Sequence, residues 1–274
     1  MRVLVTGAYG RVGTAILDHL DREFVLLDRA DPPAAYDGYE SHVGDVSDYE
    51  AIRPAFDGVD AVVHLAARPV VEAPWPEILE DNVVGTANVL RAAREAGVEQ
   101  VVFASSNHTQ GMYELDYRPE IYEPGFGLRL DHTDPVRPDS FYGTSKAFGE
   151  HLGRQYVELY DDGIEQFHAL RIGATREAEW DHPYGDAERQ VAEDEIERGS
   201  EAYHTTVRRM KALWQSRRDL AQLVACCLDY DEPGFDVFNG VSANAGRWFD
   251  ISHAREVIGY RPLDGGHEYD EPPA

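Results

Sequence analysis

Two side chains of complementary chemistry stand four apart in the run Tyr142-Gly-Thr-Ser-Lys146. In a helix that spacing puts both on one face, where a phenol and an ammonium can reach the same small molecule. A free tyrosine, with a pKa near ~10, is no base at neutral pH, and lowering it by ~3 units takes about 4 kcal/mol of preferential phenolate stabilisation. A neighbouring ammonium is a source of that stabilisation, and arginine's broad planar head serves less well as a compact charge. Lys146 and Lys211 are the only lysines among 25 basic residues, so a lysine at position 146 asks for a reason. The chemistry implied is proton abstraction from a hydroxyl by Tyr142, with Lys146 as its activator.

A second group lies near the N-terminus, in Thr6-Gly7-Ala8-Tyr9-Gly10-Arg11-Val12-Gly13. Gly7, Gly10 and Gly13 permit a tight turn, close approach of backbone to a pyrophosphate, and close packing of helix on strand. Arg11 and Val12 open the helix whose N-terminus would face the phosphate charge. Asp28 ends the next strand-like run about 20 residues on, where an acid takes ribose hydroxyls. Its charge repels the extra phosphate of NADP, while Arg29 and salt screening oppose that repulsion. The expected cofactor is NAD, with NADP admitted through Arg29.

The elements that must position these groups alternate. Strand-like runs are expected at 2–6, 24–27, 60–65, 101–104 and 166–170, and helices near 12–21, 48–56, 76–96 and 139–160. Ser47 with Glu50 has the form of a capping box, and Gly97 stands where a helix end favours glycine. Beyond Ile172 the pattern loosens into an acidic stretch, 176–203, then a single helix over about 210–228 and a last strand at 236–240. The tail from Asp264 is expected to fray. This order predicts an α/β protein, a doubly wound parallel sheet. Residues 1–171 would form the dinucleotide-binding core and 172–274 a small C-terminal substrate-binding part, with 236–240 rejoining the sheet.

Composition narrows the partners. Fifty-one acidic against 25 basic residues give a formal charge of −26, which argues against nucleic acid. With 43% hydrophobic residues in clear periods, a packed core is expected rather than disorder. Acid excess and lysine scarcity together fit a cytosol of molar salt. Cys226 and Cys227, adjacent and in apolar surroundings, read as packing rather than disulfide or metal ligands, and no metal is expected. No leader or membrane span is evident, so a cytoplasmic location is expected. The expected partners are a small sugar and further copies of the chain in a homo-oligomer.

The glycine spacing resembles the extended short-chain dehydrogenase family, which includes nucleotide-sugar epimerases and dehydratases. That resemblance implies a Rossmann-like sheet. It extends to Gly44-Asp45-Val46, similar to the family's adenine contact, and to His64-Leu65-Ala66-Ala67, similar to its cofactor wall. Asn82 resembles the family's active-site helix asparagine, and Tyr142-x-x-x-Lys146 its catalytic pair. Ser106, five residues before Gly111, resembles the family's catalytic Ser/Thr, which would hold the reacting oxygen. Phe103-Ala-Ser-Ser-Asn-His108, Leu170-Arg-Ile-Gly173 and Trp214-Gln-Ser216 look most like uronate dehydrogenases and haloarchaeal sugar 1-dehydrogenases. Ile172 then falls beside the cofactor, Asn107 and His108 shape the sugar pocket, and Arg209, five before Trp214, corresponds to an arginine that binds a uronate carboxylate. What this implies is oxidation of a free sugar at its anomeric carbon to a lactone: a neutral aldose such as L-arabinose first, then a uronate, then glucose 6-phosphate. The alternative is a nucleotide-sugar 4-epimerase. Only about 130 residues follow Lys146 to enclose a nucleotide diphosphate, and Asn107-His108 lacks the carboxylates of a dehydratase.

Overall fold

Valine, leucine and isoleucine fill both faces of the strand runs because helices cover both sides of the sheet. The computed structural model describes residues 1–273. The first half of the chain winds β1 (Arg2–Thr6), α1 (Arg11–His19), β2 (Glu23–Asp28), β3 (Glu40–Val43), α2 (Tyr49–Ile52) and β4 (Ala61–His64). It continues through α3 (Trp75–Ile78), a π-helical stretch at Leu79–Val84, and α4 (Gly85–Ala96). Then follow β5 (Gln100–Ser106), α5 (Gly111–Tyr117), α6 (Phe141–Leu159) and β6 (Gln166–Ile172). The remainder supplies α7 (Gly185–Ala192), α8 (Glu201–Leu213), α9 (Arg217–Leu228), β7 (Gly234–Gly240) and α10 (Ser252–Val257).

The seven strands run parallel in the order β3-β2-β1-β4-β5-β6-β7. The winding reverses between β1 and β4, and a crevice opens there at the carboxyl ends of the strands. Leu4, Leu27 and Val62 face Ile52 of α2 and Leu90 of α4. Val3, Val5 and Leu26 face Ile16 of α1 and Leu223 of α9. The expected doubly wound Rossmann-like sheet is present.

Several local expectations are corrected. β3 was not expected, because Glu40-Ser-His-Val43 has one apolar residue; it is an outer strand held by backbone pairing to β2. The helix expected over 76–96 is interrupted by the π-helical stretch, whose wider turn carries Asn82 inward. The cap of α2 is Asp48, which accepts from the Ala51 amide at 3.2 Å, while Ser47 donates its own amide to Asp45 at 2.8 Å. The helix expected over 210–228 is two. Trp214 leaves the helix to bridge Ala174, and Ser216 caps α9 by accepting from the Asp219 amide at 3.1 Å. The acidic stretch is ordered, with α7 inside it and Arg176 bound through both nitrogens to Asp186. The tail does not fray at Asp264: the Gly266 amide donates to Asn244, and the carbonyls of Tyr269 and Asp270 accept from Lys211 and Tyr184.

Candidate active site

Gly7 adopts a left-handed φ of 69°, and a Cβ there would meet the Ala66 amide nitrogen at 2.7 Å. A Cβ on Gly13 would strike the Ala8 carbonyl. Glycine at these positions therefore lets β1, α1 and the end of β4 meet closely. α1 starts at Gly10 without a side-chain cap, so its first amides are left for a ligand, as an anion site at a helix N-terminus needs.

This turn forms one end of a cleft of about 1120 Å³. Arg11, Val12, Asp28, Arg29, Asp45, Val46, Leu65, Ala66, Ala67 and Ile172 border it, as do Ser106, Asn107, His108, Tyr142, Lys146 and Arg209. Asp28 accepts from the amides of Tyr9 at 3.0 Å and Ala30 at 3.1 Å, which fixes its carboxylate beside the turn. The Ser47 amide holds the Asp45 carboxyl below its ordinary range despite partial burial. Beneath the wall, Thr6 Oγ1 accepts from the amides of Leu65 and Ala66 and meets His64 Nδ1 at 2.8 Å. Burial drives His64 down to about 3, so the imidazole is neutral. The glycine cradle, the uncapped helix and the acid at the end of β2 suit a dinucleotide.

Asn82 is the expected site residue that the cleft does not reach. Its Oδ1 accepts from the Arg68 amide at 2.7 Å, and its Nδ2 donates to Ser145 Oγ at 2.9 Å. Ser145 in turn donates to the Tyr142 carbonyl at 2.7 Å. Asn82 thus braces α6 from behind.

Ser140 caps α6 by accepting from the Gly143 amide at 3.0 Å, which sets Tyr142 in the first turn and Lys146 one turn later on the same side. The Lys146 ammonium lies 5.0 Å from the Phe103 ring centroid and 5.8 Å from that of Tyr142. Burial pushes Tyr142 up, while Ser106 and the charge of Arg11 pull the other way. The same enclosure pushes Lys146 down to about 7. Burial therefore opposes charge on both side chains in the protein alone, so a lowered Tyr142 calls for the positive nicotinamide ring beside Lys146.

His108 stands edge-on to Tyr142, with ring centroids 5.8 Å apart. Its Nδ1 meets Asp139 Oδ2 at 2.7 Å. Burial pushes Asp139 up, but its bonds with His108 and Ser140 more than offset this and leave it below its ordinary range. Arg209 reaches the cleft in harness, with Nε at 2.5 Å and Nη2 at 3.2 Å from the two oxygens of Glu114. Tyr122 donates to the same carboxylate at 2.8 Å.

From sequence, the 176–203 stretch belongs to the substrate-binding part, but nothing there singles out the residues that border the cleft: Arg176 with Asp186, Glu177, Trp180 and Arg189. Glu177 accepts from Arg11 Nε at 2.8 Å and so ties the glycine turn to this segment. All of them lie in or beside the acidic stretch, whose composition carries no signal for a pocket.

Residues 3–171 match the model of the NAD dependent epimerase/dehydratase family. The chain belongs to that family. It is 41% identical to the NAD-dependent glucose-6-phosphate dehydrogenase of Haloferax volcanii, over 97% of this chain and 95% of that protein. It is 34% identical to the L-arabinose 1-dehydrogenase (NAD(P)(+)) of the same organism, over 96% of each. A uronate dehydrogenase mutant from Agrobacterium tumefaciens, solved in complex with NAD, superposes with a TM-score of 0.76 at 30% identity, over 100% of this chain and 91% of that one. The family thus includes full-length relatives that are sugar oxidoreductases. Among the described residues no helix is long and apolar enough to cross a membrane.

Proposed function

We propose that this chain is an NAD-dependent sugar 1-dehydrogenase that oxidises the anomeric carbon of a small free aldose, such as L-arabinose, to a lactone. The observation that carries the reading is that Ser106, Tyr142 and Lys146 border the same cleft as the glycine turn. Bound NAD supplies the hydride acceptor. The Ser106 hydroxyl holds the anomeric oxygen, and Tyr142 Oη takes its proton as the hydrogen on the same carbon leaves as hydride. Lys146, one turn beyond Tyr142, would hold the ribose hydroxyls of the bound cofactor. Asp28 would accept from the adenosine ribose hydroxyls and so favour NAD over NADP, and Asn107 and His108 would line the sugar.

A neutral aldose is favoured by the cations at the sugar end. Arg176, Arg189 and Arg209 are each paired with a carboxylate of the chain, so an anionic sugar finds no free partner there. A sugar phosphate is the second reading, favoured by the 41% identical relative. A panel of aldoses, uronates and sugar phosphates, assayed with NAD and NADP in molar salt, tests both. Steady NADH formation with one class supports dehydrogenation, whereas epimerisation without net NADH would overturn it. The reading extends to a homo-oligomer, supported by the touching rings of Trp75 and Phe141 exposed on α3 and α6, and sedimentation velocity measures it.

A further inference from the structure

Outside the cleft, three side chains from separate parts of the chain converge at the edge of the sheet. Asp236 lies on β7, the outermost strand, and His253 on α10. His132 follows Leu130, which bridges Phe249. His253 Nε2 lies 2.8 and 2.9 Å from the two oxygens of Asp236. The His132 and His253 rings are parallel to within 11°, with centroids 3.7 Å apart. His132 Nδ1 is buried and has no hydrogen-bond partner. One ligand atom from each residue falls within 4.8 Å of the others.

We infer that His132, Asp236 and His253 form a divalent transition-metal site, separate from the cofactor cleft. Two imidazoles and one carboxylate suit Zn²⁺ or Co²⁺, whereas Mg²⁺ and Ca²⁺ call for oxygen donors throughout. The ion takes the place of the hydrogen between His253 Nε2 and Asp236, and the neutral imidazole then carries its single hydrogen on Nδ1. Ligands ~2.1 Å from a tetrahedral ion stand about 3.4 Å apart, so His132 completes the set by swivelling out of the stack. Water takes the fourth position. The ion clamps the segment at 132 and α10 onto the edge strand. None of the three ligands borders the cleft, so this is a structural site rather than part of the reaction. The ligands are 104 and 17 residues apart in the sequence, which is why no motif announces them.

The untagged enzyme, stripped by chelator and dialysed against Zn²⁺ or Co²⁺ in molar KCl, tests the inference by metal analysis, visible absorption and melting. Expected are one Zn²⁺ per chain and a Co²⁺ spectrum of tetrahedral intensity. At a hundred times Kd, Tm should rise by about 5 °C, with no rise from Mg²⁺. His132→Asn and His253→Gln should each lose the bound metal while keeping their far-ultraviolet circular dichroism. A wild-type chain that binds no stoichiometric Zn²⁺ overturns the site. So does equal binding by both variants, which would place the ion on other donors such as Cys226. Should a variant fail to fold, the wild-type Co²⁺ spectrum decides, since thiolate-to-metal charge-transfer bands would contradict a nitrogen and oxygen set.

Discussion

Tyr142 and Lys146 sit where charge on either is opposed by burial, and the work of the site is to overcome that opposition when the substrates arrive. Tyr142→Phe keeps the ring and its packing and removes only the hydroxyl. The expected outcome is a fall in kcat of ~10²- to 10⁴-fold with unchanged NAD affinity, read by steady-state kinetics and fluorescence titration. Retention of most activity would remove the tyrosine from proton transfer. Arg209 has a different liability. Truncating it strands the Glu114 carboxylate, which is largely buried, and breaking such a pair destabilises by about 3–5 kcal/mol. Arg209→Met paired with Glu114→Gln is expected to recover most of that loss in urea unfolding. In the kinetics of the double variant, KM for a neutral aldose should change by less than tenfold. A larger rise confined to carboxylated or phosphorylated sugars would shift the substrate to the anionic class, since a charge-assisted contact is worth roughly 1.5–3 kcal/mol.

The strands carry titratable groups as well as the site. His64 at the end of β4 and His168 in β6 are driven by burial to about 3 and about 4. Below pH 6.5 the unfolded chain takes up protons on both that the folded chain refuses, so stability falls with pH across the window from 6.5 to 4. Two such groups give a slope of up to about 2.7 kcal/mol per pH unit. Unfolding at pH 7, 6 and 5 in constant salt measures it, and His64→Gln should roughly halve the slope; an unchanged slope would assign it to other groups. Six of the seven strands were legible because their apolar runs are long and both faces are covered. β3 was not, since an outer strand held by backbone pairing needs no apolar alternation. The break between α8 and α9 was also hidden, because Trp214 and Ser216 interrupt the helix without glycine or proline. At the site, the glycine turn and Tyr142 with Lys146 were visible because their spacing is local. Asn82 was read through the resemblance to the family's active-site helix asparagine, and the π-helical stretch that turns it toward Ser145 has no local signature. The pairs Arg11 with Glu177 and Arg209 with Glu114 join residues 166 and 95 positions apart, and no local pattern carries such distances.

At the scale of the whole molecule the formal charge of −26 is a standing repulsion, relieved in part by ion pairs and in part by salt. Transfer into dilute buffer is expected to reduce the helical circular dichroism signal, and added cofactor should slow or reverse the loss. Full retention of signal and activity there would show that the acid excess does not govern folding. The segment beyond Asp264 bears on how this protein can be handled. Ser216 and Arg218 bind the Asp264 carboxylate, and the carbonyls of Tyr269 and Asp270 are held by Lys211 and Tyr184. Lys211 lies two residues from Arg209 on α8, and Tyr184 borders α7, so this segment is a latch across two helices that border the cleft, at the end where the proposed reaction places the sugar. For an engineer it is working architecture and not a disposable handle. Trimming the gene after Asp264 is expected to raise KM for the sugar several-fold with NAD affinity unchanged, so a shortened version made for crystallisation would report the selectivity of a loosened pocket. Kinetics of the trimmed and full-length chains side by side would show it, and identical constants would mean that the latch bears no load.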